Sequence, residues 1–161
     1  MGEGKTKVRF LIRNGLGKGD GMKYLSKEWL EAVREKANAD TEYLKKTRGL
    51  TVMFQLLTTD VPGGVDKLST WNVERGKIKS ITLEEKPAPS DWRTTPVDLS
   101  KYLLRGTAPY QTFCALHRKE FPFVQAMTKG FKVDGDMMKI MSKVAEFVHL
   151  LEFQANVPAE Y

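Results

Sequence analysis

Residues 129–141 constrain the fold more than any other part of this sequence. Gly130 can close a preceding helix in a left-handed conformation, and Phe131 and Val133 alternate with charged residues as a short half-buried strand. The carboxylate of Asp136 can then accept the free amide protons of a helix that begins after it. The segment therefore predicts a helix end, a strand and a new helix in close succession.

The helix predicted after Asp136 has a broad apolar face. This face consists of a stripe at helical spacing and of residues that widen it, with Met137, Met141, Val144, Val148 and Leu151 in the stripe and Met138, Ile140 and Phe147 beside it. Methionine is unbranched and polarizable, so the three methionines that open this face can fill irregular space. Two interpretations stay open: the methionines are ordinary core residues, or the helix also covers a cavity or an apolar partner.

Composition limits the class of protein. The chain has 161 residues, of which 41% are hydrophobic and 29% are charged, and these values are typical of one soluble globular domain. No apolar run reaches the roughly 20 residues that a membrane-spanning helix needs. A single cysteine, Cys114, excludes an internal disulfide and favours a reducing compartment. We therefore expect a cytoplasmic protein.

Positive charge is concentrated near the N-terminus. Residues 1–27 contain seven lysines and arginines but two acidic residues, so they carry +5 of the formal net charge of +6. We expect residues 1–21 to form a basic, glycine-rich arm in which Val8, Phe10 and Ile12 alternate as a possible edge strand. Residues 22–161 are expected to form a single domain. Residues 28–161 carry a net charge of +1, which predicts no nucleic-acid binding, whereas the arm predicts weak contact with an anionic membrane surface.

The first half of the domain has the pattern of helices followed by a small sheet. Ser26 can cap a first amphipathic helix, and a short helical piece is expected over residues 41–46. Residues 50–58, 68–74 and 78–84 are rich in β-forming residues and are separated by glycine turns. This part of the sequence predicts an antiparallel meander of three strands.

The second half is predicted to be mainly helical. Residues 91–94 are expected to form a short fourth strand, and residues 95–106 a helix that stops at Gly106. Pro109 and Pro122 are expected to start two further helices, because proline is favoured in the first turn. The whole pattern predicts an α+β fold, with a small, mostly antiparallel sheet and helices packed over one face.

Catalytic chemistry has little support in the sequence. Cys114 and His117 are three residues apart and can meet on one helical turn, but no third group orients them. A structural cysteine beside a surface histidine is the favoured interpretation, and a hydrolase or transferase that uses Cys114 is the weakest alternative. The spacing of histidines and acids predicts no metal site, and the sequence predicts no cofactor. The expected protein is not an enzyme.

The order of these elements resembles that of the sterol carrier protein type 2 lipid-transfer domain, over about residues 25–150. The most specific match is residues 130–138, which follow the family's pattern of glycine, alternating strand, glycine, aspartate and methionine before the last helix. A supporting match runs from Asp98 and Leu99 through Leu103 to Gly106. The resemblance implies a five-stranded sheet with an apolar tunnel between sheet and helices. It also implies non-enzymatic binding and intracellular transfer of fatty acyl chains, sterols or other lipids.

A lipid carrier needs a volume that is lined by adaptable apolar side chains. The candidate ligand-binding residues are Phe54, Leu56, Trp71, Val73, Ile81, Leu103, Phe113, Phe123, Met127, Met137, Met138 and Met141. An alternative function is a dimerisation or accessory module that presents an apolar surface to a partner enzyme or to a second copy of the chain.

Overall fold

The structure is a computed structural model that describes residues 21–161. The edge strand predicted around Val8, Phe10 and Ile12 lies outside the described residues. Helices of the described part are α1 (Lys27–Ala39), α2 (Thr41–Thr47), α3 (Tyr110–His117), α4 (Met137–Ser142) and α5 (Val144–Phe153). Strands are β1 (Val52–Val61), β2 (Val65–Glu74), β3 (Lys77–Pro87), β4 (Leu104–Pro109) and β5 (Lys132–Gly135), and the 3-10 helices are Asp91–Arg93, Phe123–Lys129 and Gln154–Asn156.

The five strands form one mixed sheet in the order β3-β2-β1-β4-β5. The meander β1-β2-β3 is antiparallel, as the glycine turns predicted. β4 pairs parallel to β1 and antiparallel to β5. The predicted α+β fold with a five-stranded, mostly antiparallel sheet is therefore confirmed.

Aromatic side chains fill much of the space between the sheet and the helices. Phe54 of β1 stacks on Trp71 of β2 with ring centroids 5.4 Å apart, and it meets the edge of Phe147 of α5 at 4.6 Å. All three side chains are buried. Ser26 caps α1 as predicted, because its hydroxyl accepts a hydrogen bond from the Trp29 amide. The side chain of Trp29 packs in the same core. Burial of these large rings stabilises the packing of the helices on the sheet.

The connection between β3 and β4 crosses the opposite face of the sheet. β3 is an edge strand and β4 pairs with β1, so residues 88–103 must pass over β2 and β1. The carboxylate of Asp66 is fully buried there and accepts hydrogen bonds from Ser90 and Arg93. The guanidinium of Arg105 donates to the Thr95 carbonyl at 2.8 Å and to the Gln55 side chain. These polar contacts attach the crossing segment to the sheet.

The sequence prediction is wrong in this crossing segment. Residues 91–94 do not form a strand, because Asp91–Arg93 is a 3-10 turn whose side chains pair with β3 and Asp66. Residues 95–106 do not form a helix, and Gly106 lies inside β4 instead of ending one. A Cβ at Gly106 would lie 2.5 Å from the Phe131 ring, so the glycine is needed for close packing between β4 and the segment before β5.

The predicted succession of helix end, strand and helix over residues 129–141 is confirmed. Gly130 is left-handed with φ 96° and ends the 3-10 helix, and the carboxylate of Asp136 accepts from the amides of Met138 and Lys139. The prediction of one continuous last helix is wrong, because the chain breaks at Lys143 between α4 and α5. The apolar stripe is therefore split, and the two parts face different surroundings.

The two ends of the described chain pair with each other. Lys23 and Glu160 form a parallel bridge, with the Tyr24 amide donating to the Glu160 carbonyl and the Glu160 amide to the Met22 carbonyl, each at 2.8 Å. The indole of Trp29 donates to the carbonyl of Val157 at 2.9 Å. The C-terminal segment is thus held against α1 and α3.

Candidate functional site

A cleft of about 590 Å³ opens between helices α2, α3 and α5. This volume is within the range of small-molecule sites in proteins. The apolar and aromatic residues that line it are Tyr24, Tyr43, Phe113, Leu116, Phe121, Phe123, Leu151 and Phe153. Polar and charged side chains that include Asp40, Glu42, Lys46, Lys119, Glu120, His149 and Glu152 complete the lining.

One wall of the cleft is built by α2 and the end of α5. The carboxylate of Asp40 caps α2 by accepting from the Tyr43 amide at 2.9 Å. The hydroxyl of Tyr43 donates to the Gly76 carbonyl at 2.8 Å, which holds its ring in the wall. This ring lies 5.1 Å from the ring of Phe153, the last residue of α5. The wall therefore presents two adjoining aromatic rings.

The opposite wall depends on a group of phenylalanines around β5. Phe131 lies between Phe113 and Phe123, with ring centroids 5.8 Å and 5.1 Å away, both edge to face. The hydroxyl of Thr112 donates to the Lys129 carbonyl at 2.6 Å, which ties α3 to the 3-10 helix. Phe113 and Phe123 are thus positioned in the cleft wall by packing from behind.

His117 lies at one end of the cleft as a neutral group. Its Nε2 donates to the Val157 carbonyl at 2.7 Å, and its Nδ1 accepts from the hydroxyl of Tyr161. Carbonyl oxygens only accept, so the proton belongs on Nε2. Burial lowers the pKa of His117 below its usual value of 6.5. The histidine therefore adds no charge to this end of the cleft at neutral pH.

The phenols around the cleft also stay neutral. Burial raises the pKa of Tyr43 to about 12, and it raises the pKa of Tyr24 well above its usual value. The Tyr24 hydroxyl donates to the Phe113 carbonyl at 3.0 Å. Within residues 21–161, every buried side-chain nitrogen and oxygen has a hydrogen-bond partner. No buried polar side-chain group around the cleft is therefore left unpaired.

Charged groups of the lining form an outer rim. The side chain of Lys119 donates to Asn156 at 3.0 Å, and Glu152 accepts from the Phe123 amide at 3.3 Å. Lys46 and Glu42 form an exposed ion pair at 3.7 Å. A cleft that is apolar inside and polar at its mouth can hold an amphiphilic molecule, with the tail inside and the head group at the rim.

The structure does not supply an activated nucleophile at Cys114. Its thiol is buried, and burial raises its pKa, the reverse of what a thiolate nucleophile needs. Both ring nitrogens of His117 are engaged by Val157 and Tyr161. The side chain of Cys114 contacts that of Tyr110 instead. These contacts agree with a structural role for the cysteine.

The predicted ligand-binding residues fall into four groups. Phe113 and Phe123 line the cleft. Phe54, Leu56, Trp71 and Val73 are buried in the core between sheet and helices. Ile81 and Leu103 are partly buried against that core. Met127, Met137, Met138 and Met141 are more than half exposed on the outer surface. Only Phe113 and Phe123 are brought together in the cleft, and a ligand role stays a prediction for all twelve residues.

Several cleft residues were not among the predicted site residues. They include Tyr43, Leu116, Phe121, Leu151 and Phe153. Phe121 and Phe123 flank Pro122, and an aromatic pair around a helix-starting proline is a signal that could have drawn attention to this region. The remaining residues look like ordinary positions on amphipathic helices, and the helix packing alone brings them together.

Two other kinds of site are absent from the part of the chain that the structure describes. Among residues 21–161, no three His, Cys, Asp or Glu side chains lie close enough together to hold a metal ion. No helix in this range is long and apolar enough to cross a membrane.

Comparison with known proteins gives the class of this fold. No protein-family model and no curated protein matches the sequence. The structure is similar to that of a conserved hypothetical protein from Thermus thermophilus, described as possibly a sterol carrier protein, with a TM-score of 0.67 and 14% sequence identity. That match covers 87% of this chain and 93% of the other. The chain has the sterol carrier protein fold.

A second structure leads to the same assignment. A crystal structure of sterol carrier protein 2 matches with a TM-score of 0.67 and 13% identity, over 84% of this chain and 99% of the other. The resemblance drawn from residues 130–138 is therefore confirmed at the level of the fold. At this identity, the sterol carrier protein fold by itself assigns neither ligand nor activity.

Proposed function

We propose that this protein is a non-enzymatic carrier that binds a lipid or another amphiphilic molecule in the cleft and transfers it within the cytoplasm. The observation that carries the proposal is the cleft itself, a concave volume of about 590 Å³ with an aromatic interior and a charged rim. The sterol carrier protein fold supports it as an analogy. The apolar tail would lie against Phe113, Phe123 and Leu151.

This location differs from the tunnel implied by the resemblance. The space beneath α5 is occupied by Phe54, Trp71 and Phe147, whose rings contact one another. A tunnel between sheet and helices would therefore require these rings to move apart when a ligand enters. The cleft requires no such rearrangement, so we place the first contact with ligand there. Phe54 and Trp71 remain proposed ligand contacts for an opened form.

A binding titration with BODIPY-labelled palmitate tests the proposal. Leu151 is partly buried in the cleft, so Leu151→Gln replaces an apolar contact by a polar one without emptying the core. We expect about a tenfold weaker affinity, which corresponds to the loss of about 1.4 kcal/mol of apolar burial. The matched control is Leu99→Gln, which makes the same change at an exposed leucine of the crossing segment.

A third variant, Met138→Gln, compares the cleft with the methionines predicted from the sequence. If palmitate binds in the cleft, Leu151→Gln should weaken its affinity strongly, and Leu99→Gln and Met138→Gln should change it little. A large effect of Met138→Gln alone would instead support the methionines as ligand contacts. The carrier proposal fails if the folded wild-type protein binds neither BODIPY-labelled palmitate nor unlabelled palmitate.

A further inference from the structure

α4 and the first residue of α5 carry an exposed group of apolar side chains. Met137, Met138, Met141 and Val144 are exposed, and Met138 has 85% of its surface accessible. We call these four residues the methionine face. The helix is anchored from its other side by Ile140, which is buried. Isolated exposed apolar residues are ordinary, but four of them within eight positions indicate an interaction surface.

Basic side chains border the methionine face. Lys139 lies in α4, and Lys143 is the residue that follows the end of α4. The ammonium group of Lys143 reaches the backbone at Gly49, 3.7 Å from where a Cβ would stand, and Arg48 precedes that glycine. Because Lys139 and Lys143 are four residues apart, they place positive charge along one flank of the exposed methionines.

Acidic groups near the face are fewer and partly engaged. Asp136 directs its carboxylate to the amides of Met138 and Lys139 at the start of α4. Glu146 lies beside Gly49 together with Lys143. The local balance of Arg48, Lys139 and Lys143 against these two acids stays positive. A surface of this type suits an anionic partner that can also take up apolar side chains.

We propose that the methionine face docks the protein onto an anionic lipid membrane, with the methionines inserted at the level of the head groups and the lysines paired with lipid phosphates or carboxylates. A second copy of the chain would bring the same lysines together, which is unfavourable. Residues 1–20, with five basic and two acidic residues, have the same sign of charge as the face and do not complement it. Flexible methionine side chains also suit a fluid interface better than a rigid one.

Vesicle flotation with the full chain tests this proposal, using phosphatidylcholine vesicles with and without phosphatidylserine. The double variant Met138→Gln/Met141→Gln should lower binding to the anionic vesicles about tenfold, because it removes apolar insertion. Lys139→Gln/Lys143→Gln should lower it by up to about 25-fold at low salt, since each base near such a surface contributes about a fivefold change. Phosphatidylcholine alone should bind weakly to every variant.

The controls change equivalent residues elsewhere. Leu99→Gln alters an exposed leucine on the opposite side of the sheet, and Lys77→Gln/Lys79→Gln removes two exposed lysines from β3. Neither control should change flotation. A third comparison deletes residues 1–21, and the proposal predicts that most binding survives.

Three outcomes would overturn the proposal. The first is equal flotation of the methionine variant and the Leu99→Gln control. The second is loss of all binding on deletion of residues 1–21, which would assign the membrane contact to the arm. The third is a wild-type dimer in sedimentation velocity that Met138→Gln/Met141→Gln converts to monomer, which would assign the face to a second copy. Because flotation uses ligand-free protein, failure here leaves palmitate binding in the cleft as a separate result.

Discussion

Asp66 offers the sharpest test of how the crossing segment is held on the sheet. Its carboxylate is completely buried and accepts five hydrogen bonds. Oδ1 accepts from the Asp60 amide and from Arg93, and Oδ2 accepts from the amide and hydroxyl of Ser90 and from Arg93. Asp66→Asn replaces one of the two oxygens by an NH₂ group. At either position this group would face N–H or O–H donors, and it cannot accept hydrogen bonds from them.

The expected cost of Asp66→Asn follows from this geometry. Removing the charge from a buried pair typically costs about 3–5 kcal/mol. Arg93 is partly exposed, with 29% of its side chain accessible, so water can solvate the guanidinium and the lower end applies, about 3 kcal/mol. For a chain of this length, that loss corresponds to a fall in unfolding temperature of roughly 6–12 °C.

The same carboxylate predicts a dependence on pH. Hydrogen bonds from Arg93 hold the pKa of Asp66 well below its usual value. Below about pH 4, Asp66 becomes protonated in the unfolded chain while it stays ionised in the folded chain. The stability contributed by Asp66 is therefore present above about pH 4 and is lost as the pH falls further. The difference between wild type and Asp66→Asn should shrink over this acidic window.

Urea unfolding at about pH 7 and about pH 3, followed by circular dichroism, measures both effects. The control is Asp91→Asn, which removes an exposed carboxylate from the same segment that pairs with Lys86. It should leave the midpoint nearly unchanged. The reasoning is refuted if Asp66→Asn unfolds at the same urea concentration as wild type at neutral pH, or if the Asp91→Asn control loses as much stability.

Three further predictions concern the cleft and its surroundings. Gly106→Ala should lower stability by about 1–3 kcal/mol in thermal unfolding, because its Cβ would lie 2.5 Å from the Phe131 ring. Gly49→Ala should be tolerated, because its Cβ would meet only the ends of the flexible Glu146 and Lys143 side chains. Wild type should lose stability as the pH falls below about 6.5, because burial lowers the pKa of His117 in the fold. In His117→Gln, the urea concentration at the unfolding midpoint should change less between about pH 7 and about pH 5. Cys114→Ala should retain palmitate binding, and its complete loss in a folded variant would restore the nucleophile interpretation.

The predicted and observed structures agree where local chemistry decides the conformation. Ser26 and Asp136 accept from the first amides of their helices, and Gly130 supplies a left-handed residue. Each of these roles needs only neighbouring residues in the sequence. The meander was predictable for the same reason, since glycines at its turns separate alternating strands.

The errors lie where distant residues decide the conformation. Gly106 has the sequence context of a helix end, but the Phe131 ring and the parallel pairing with β1 make it part of a strand. The methionines of α4 have the spacing of a core stripe, yet they are more than half exposed and are separated by the break at Lys143 from the buried part of the stripe in α5. The cleft depends on the packing of three helices from separate parts of the chain, which no local pattern reports.

The central claim, an apolar ligand in the cleft, is tested most directly by NMR with a nitroxide-labelled stearic acid. Paramagnetic broadening reports which leucine methyl groups lie near the bound label. The account predicts strong broadening at Leu116 and Leu151, which line the cleft. It predicts unchanged signals at Leu57, which is buried on the sheet face opposite Phe54. Broadening at Leu57 without an effect at Leu116 and Leu151 would contradict it.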